Sequence, residues 1–267
     1  MRRTSSGYPV WIDGDDSSPS IVLVHGVLMD HRMWLHQVEG LKENYRVVCL
    51  DMLGHGRAPD PDGPRHLEDF VNQVQEVVHE FCPDEKPVLG GFSMGGLISQ
   101  AYAIAHWESL SGVMFLNAVY ERSPEQRKIV RERFALIASG DVEAVCAAAR
   151  PRWFNAEEEA GRKAEIEAIL DWMRDDDFHS KIKAHDVFSS SDDQTAGRLK
   201  EVPIPALVMT GDGDTGSTPE MARRMAADLP DARLHILDNQ QHCMPVMDAE
   251  RVNGIVLTFL DEVFGRS

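Results

Sequence analysis

Val88-Leu89-Gly90-Gly91-Phe92-Ser93-Met94-Gly95-Gly96 is the stretch from which the rest of the chain is read. Pro87–Leu89 is an apolar strand pattern, and helical spacing runs from Gly95 to His106, so G-x-S-x-G lies between a strand and a helix. In that context a sharp turn forces Ser93 into a strained backbone conformation and raises its hydroxyl above the sheet. Gly91 and Gly95 let neighbouring backbone pass close by. The helix that follows aims its first N–H groups at the serine, which favours negative charge developing there. A dinucleotide-binding loop would need G-x-G-x-x-G, which this turn does not contain.

Outward from this turn, further short runs rich in Val, Ile and Leu occur at Ile21–Val24, Arg46–Leu50, Gly112–Leu116, Ala206–Met209 and Arg233–Leu237. Continuous apolarity of this kind suits strands covered on both faces. Helical patterns alternate with them at Trp34–Leu41, His66–Phe81, Gly95–His106, Pro219–Asp228 and Ala249–Phe264. The alternation predicts an α/β fold with a doubly wound, mostly parallel sheet flanked by helices. Only Val10–Ile12 reads as a strand before Ile21, so one sheet edge is expected to be short. From Tyr120 to Lys200 the rhythm stops, and helices are expected instead at Pro124–Ala138, Val142–Ala149, Ala156–Arg174 and Asp177–Phe188. The expected division is a core of residues 1–119 and 201–267, interrupted by a helical insertion over 120–200.

A serine hydroxyl needs a base to become nucleophilic at neutral pH, and this turn type takes its partners in the order Ser, Asp or Glu, His. His242 follows the strand Arg233–Leu237 and precedes the last helix, which makes it the candidate base. His235 lies within the strand pattern and is expected to pack in the sheet. The apolar strand Ala206–Met209 runs into Thr210-Gly211-Asp212-Gly213-Asp214, and Asp214 is placed to leave the strand's C-terminal edge and accept from His242 Nδ1–H. Asp212 is the competing carboxylate. Acyl transfer also needs two N–H donors for the tetrahedral oxygen. Met94 supplies one, and the loop His25-Gly26-Val27-Leu28 the other, through Val27 or secondarily Leu28. His25 itself is expected to be a hydrogen-bonded structural residue.

His25-Gly26, Asp51-Met52-Leu53-Gly54-His55-Gly56, Gly91–Gly96, Gly211–Asp214 and His242 together resemble the α/β-hydrolase fold superfamily, in its order and over nearly the whole chain. Asp30–Trp34 and Gly211–Pro219 resemble the branch of 3-oxoadipate enol-lactonases and related cytoplasmic carboxylesterases. The resemblance implies that the insertion is the cap such enzymes carry after the sixth core strand. Three features depart from the family pattern: Ala58 in place of a common serine, a proline-rich loop at Pro59–Pro64, and Gln241 where glycine often precedes the histidine. The expectation is a serine hydrolase of a small carboxylic ester or lactone, acting through Ser93, His242 and Asp214 with Val27 and Met94 as oxyanion donors. Carbon–carbon bond hydrolases and cofactor-free haloperoxidases share this layout and stay open, as does a non-catalytic binding protein on the same fold. A dehalogenase or epoxide hydrolase would carry Asp at the position of Ser93.

Lys and Arg total 27 against 44 Asp and Glu, a net charge of −17, which argues against nucleic-acid or anionic-membrane partners. Four scattered cysteines without a CxxC pair read as free thiols. The N-terminal residues lack an apolar signal core, so a cytoplasmic monomer or homodimer is expected. No cofactor or metal is expected, and Asp175-Asp176-Asp177 reads as a solvated helix end. For the substrate pocket the candidates are Leu28, Met29, Trp34, Trp153, Phe154, Trp172 and Met244, which together would give a small, mostly apolar cavity.

Overall fold

The computed structural model describes residues 1–174 and 178–266. The Asp175–Asp177 run, and with it the expected start of the last inserted helix, lies outside the described residues. Eight strands form one sheet: β1 (Arg2–Arg3), β2 (Pro9–Asp13), β3 (Ser20–Val24), β4 (Arg46–Leu50), β5 (Val88–Phe92), β6 (Gly112–Leu116), β7 (Ala206–Gly211) and β8 (Ala232–Leu237). Their order across the sheet is β1-β2-β4-β3-β5-β6-β7-β8, with β1 and β2 antiparallel and the remainder parallel. Every residue of β3 to β7 is buried, as their unbroken apolar runs require, while the outer strand β8 is mostly half-exposed.

Helices α1 (Leu35–Leu41), α2 (Leu67–Phe81) and α3 (Met94–His106) fill the connections of the first half. After β6 come α4 (Pro124–Ala138), α5 (Val142–Trp153), α6 (Ala156–Gly161), α7 (Lys163–Arg174) and α8 (Phe178–Ser190), with no strand between them among the described residues. Then α9 (Pro219–Asp228) separates β7 from β8, and α10 (Met244–Met247) and α11 (Ala249–Phe264) close the chain. Helix α1 packs on α11 and α2 on α3, while α4 packs on α8 and α5 on α7. The helix starts follow their capping chemistry. Ser123 accepts from Gln126 N–H with Pro124 at the first helical position, and Thr218 and Pro219 do the same for α9.

The elements depart from the sequence expectation in several places: β1 (Arg2–Arg3) is a second strand before β3 where only Val10–Ile12 is expected, and β5 and β7 run on to Phe92 and Gly211. Helix α5 continues past Ala149 to Trp153, because Pro151 falls in the last turn and costs only one helical bond. The expected helix Ala156–Arg174 is two helices: Asn155 and Glu158 cap the first reciprocally, Gly161 ends it, and the chain bends at Arg162. The short α10 directly after His242 carries no periodic signal in four residues. All four cysteines are buried and unpaired. Among the described residues no helix is long and apolar enough to cross a membrane.

The sheet order explains where a site must form. Strand β4 lies on one side of β3 and β5 on the other, so the chain reverses direction across the β3–β5 boundary. Loops leaving the C-terminal ends of these strands diverge there and open a crevice. Val24 pairs with Gly91, which sets the loop after β3 beside the turn after β5.

Candidate active site

Ser93 follows β5 directly with φ 53° and ψ −112°, and α3 begins at Met94. Positive φ on a non-glycine residue costs about 1–2 kcal/mol, and it is held here from several sides. Ser93 N–H donates to Leu116 O at the end of β6 (3.0 Å). A Cβ on Gly91 would lie 2.1 Å from Gly95 O, and one on Gly95 would lie 2.1 Å from Val24 O, so neither position admits a side chain. The serine side chain does not cap α3. Its Oγ lies 3.1 Å from His242 Nε2 instead.

His242 Nδ1 meets Asp214 Oδ2 at 2.7 Å. Asp214, on the loop after β7, is 3% exposed. Burial alone would raise its pKa, but the neighbouring His242, the hydrogen bond from that ring, the Ser217 N–H and the Asn117 amide together hold it below the usual carboxylate value. Its Oδ1 accepts from Gly216 N–H (2.8 Å) and Ser217 N–H (2.9 Å), and Oδ2 accepts from Asn117 Nδ2 (2.9 Å). Asn117 leaves β6 with φ 46°, a conformation Asn tolerates better than most residues. Asp212, the competitor, is exposed and accepts from Gln240 N–H (3.3 Å), tying the loops after β7 and β8 together. His235 lies within β8, as expected, but half-exposed on this outermost strand.

Beside Ser93, His25 is fully buried; Nδ1–H donates to Gly26 O (2.8 Å) and Nε2 accepts from Met52 N–H (2.8 Å). His55 works the same way, with Nδ1–H on Leu53 O (3.1 Å) and Nε2 accepting from Leu28 N–H (3.1 Å). Burial lowers the pKa of both rings, which suits neutral imidazoles with one donor and one acceptor each. The His55 bond holds Leu28 at φ 69° and consumes its N–H. Val27 and Met94 N–H have no hydrogen-bond partner among the described residues.

A cavity lies over Ser93 and His242 beneath α4, α5 and α8. Leu28, Met29 and Trp153 line it. Trp34, Phe154, Trp172 and Met244 do not. Trp34 is buried edge-on against Phe92, Phe154 packs beside Trp153, Met244 is buried at the start of α10, and Trp172 lies 6.0 Å from the Arg32 guanidinium on α7. Large apolar rings went where they lose the most water.

The lining is mostly apolar, as expected, but charged side chains share it. Arg122, Arg133, Arg152 and His185 all line the cavity. Their signal was hidden, because arginines on a charged helix look like a solvated face until the packing of α4 on α5 and α8 turns them to one side. Arg122 is buried and pairs with buried Asp192 (3.2 Å), and it also donates to Phe188 O (2.9 Å).

The histidine loop is joined to the end of α5. Cys243 N–H donates to Trp153 O (3.3 Å), and Asn155 Nδ2 donates to Asn239 O (2.9 Å). The Gln241 amide, turned with its NH2 toward α5, donates to Arg152 O (3.0 Å). The Trp153 and His242 rings are 6.1 Å apart.

Away from this centre, Asp30, His31 and Asp51 bring three potential ligand atoms within 4.8 Å of one another. Asp30 is already paired with Arg32 (2.6 Å), and Asp51 accepts from His31 N–H (2.9 Å) and Arg57 N–H (2.8 Å). The trio therefore reads as a loop anchor.

The model of the alpha/beta hydrolase family matches residues 21–255. An (E)-2-((N-methylformamido)methylene)succinate hydrolase of Acinetobacter baylyi is 30% identical over 244 residues, covering 90% of each chain. A 3-oxoadipate enol-lactonase of the same organism is 26% identical, covering 81% of this chain and 79% of its own. Among solved structures, the enol-lactonase of Burkholderia xenovorans superposes with a TM-score of 0.87 at 26% identity, over 96% of this chain and 98% of that one.

Proposed function

The chain belongs to the α/β-hydrolase family, and from that premise we propose that it is a serine hydrolase of a small carboxylic ester or lactone. The observation that carries this reading is the unbroken relay from Ser93 Oγ through His242 to Asp214, at 3.1 and 2.7 Å. Ser93 Oγ attacks the scissile carbonyl while His242 Nε2 takes its proton. Asp214 fixes the ring with Nδ1 protonated and stabilises the imidazolium that forms. The N–H groups of Val27 and Met94 bind the oxygen as it gains charge, reinforced by the start of α3. His242 then gives its proton to the leaving oxygen, an acyl-enzyme remains, and a water activated by the same nitrogen releases the acid and restores Ser93. In this reading residues 120–200 act as a cap over a core of 1–119 and 201–267.

The similarity to enol-lactonases supports the lactone form. The relative that hydrolyses an N-methylformamido compound supports a second form, cleavage of an acyl–nitrogen bond by the same groups. Ser93→Ala tests the mechanism: kcat is expected to fall on the order of 10⁶-fold, and fluorophosphonate labelling of the parent is expected at Ser93. Ester hydrolysis at the parent rate in that variant refutes the mechanism. One slow turnover with a trapped ligand would instead mark a binding protein. Matched lactone and amide substrates separate the two forms.

A further inference from the structure

Of the three arginines over the site, two have no carboxylate partner. Arg152, on the last turn of α5, donates Nε to Ala148 O (3.0 Å), and Arg133 on α4 makes no hydrogen bond or ion pair among the described residues. Both are half-buried and line the cavity that contains Ser93. Burial lowers the pKa of each, and for Arg152 the repulsion from Arg133 adds to it, yet Arg152 is pushed down only to about 10 and stays charged. The nearest acid is Asp214, whose oxygens are already taken by His242, Asn117 and two backbone N–H groups. Two like charges withdrawn from water without a counter-ion are costly, and an incoming anion removes that cost.

A second, independent observation points the same way. His185 on α8 is 5% exposed, and its buried Nδ1 has no partner. Burial, with three arginines around it, holds its pKa down at about 3, so it is a neutral hydrogen-bonding group. An orphaned polar atom in a cavity wall is satisfied when a ligand oxygen or hydroxyl reaches it.

We propose that Arg133, Arg152 and His185 form a carboxylate-binding subsite, so that the substrate is an acyl compound carrying a free carboxylate beyond the bond that Ser93 cleaves. The inference rests on the serine-hydrolase reading and narrows it to anionic substrates. The guanidinium fork matches a planar carboxylate, and the three side chains come from three different helices of the insertion. Arg122 takes no part, since its guanidinium is already held by Asp192 and Phe188 O.

The test compares 4-nitrophenyl valerate with the mono-4-nitrophenyl ester of glutaric acid. The acid ester is expected to have the higher kcat/KM, by about ten- to a hundredfold. Arg133→Gln and Arg152→Gln each lower that ratio at least about tenfold, Arg152→Lys lowers it less, and Arg131→Gln, an exposed change on the same helix, leaves it at the parent value. Glutarate competes with the valerate ester in the parent protein. Thermal unfolding of each variant shows that it folds, and the ratio is insensitive to how much active enzyme is present. If Ser93 hydrolyses both esters at similar kcat/KM and glutarate does not compete, the subsite is refuted while the hydrolase reading stands. If neither ester is cleaved and fluorophosphonate does not label Ser93, both fall.

Discussion

Asn117 gives the sharpest single test of how the acid is held. Replacing it with Ala removes the 2.9 Å hydrogen bond to Asp214 Oδ2, a bond to a charged acceptor worth about 1.5–3 kcal/mol. It also places a residue without a short polar side chain at φ 46°, which adds about 1 kcal/mol. The expected loss is therefore about 2.5–4 kcal/mol. At about 2.1 cal/mol/K of unfolding entropy per residue, a chain of 267 residues loses roughly 1.8 °C per kcal/mol, so Tm is expected to fall by about 4–7 °C. Asn117→Gly separates the two terms, since glycine accepts the backbone but supplies no amide; it recovers the strain, about 1 kcal/mol, and not the bond. In both variants Asp214 loses a donor that favours its charged form, so its pKa rises toward the ordinary value. Calorimetry gives the stabilities, and steady-state hydrolysis gives kcat, expected to drop about tenfold because the acid orients the base less firmly. Parent-like Tm and kcat in Asn117→Ala would show that Asp214 is held adequately by Gly216 and Ser217 alone.

Two further outcomes follow from the same centre. Asp214→Asn is expected to lower kcat on the order of 10⁴-fold with the fold intact. Because the pKa of Asp214 is depressed in the folded state, the stability its charge provides is present above the unfolded carboxylate value and is lost as pH falls through the folded value. The difference in stability between parent and Asp214→Asn should therefore shrink below about pH 4, and a pH-independent difference contradicts the depressed pKa. Gly95→Ala would drive a Cβ to 2.1 Å from Val24 O and 2.5 Å from His25 O, both main-chain atoms, at about 3 kcal/mol or more. A Tm drop of about 5 °C and slow phosphonylation of Ser93 are the readouts, and an unchanged labelling rate would mean that the turn yields without moving Met94.

That Ser93, Asp214 and His242 meet was legible because each lies where a strand pattern gives way to a loop, so the linear order of motifs carries their place on the sheet edge. Asn117 was not, since its meaning depends on β6 lying next to β7, a fact of strand order rather than of local sequence. His55 is similar: its task is to accept from Leu28, 27 positions away along the chain. The pocket lining was legible only in part, for an energetic reason. Trp34 and Met244 are close to the motifs in sequence, but burying them in the core removes more apolar surface from water than facing a cavity would. The arginines needed the tertiary packing of α4, α5 and α8 before their common direction existed at all. The charge of −17 describes the outside of the protein and hides a wall of the opposite sign.

The junction between the end of α5 and the histidine loop constrains how the cavity can be filled. Residues on both sides of His242 are fastened to the last turn of α5 or just beyond it, through Cys243, Gln241 and Asn239. A hinge at this junction would pull His242 off Ser93 at every opening. In the proposed reading the junction is expected to stay in place while a substrate enters. It also means that a ligand held by Arg152, as proposed, is held by the same turn of α5 that fastens the residues on either side of His242.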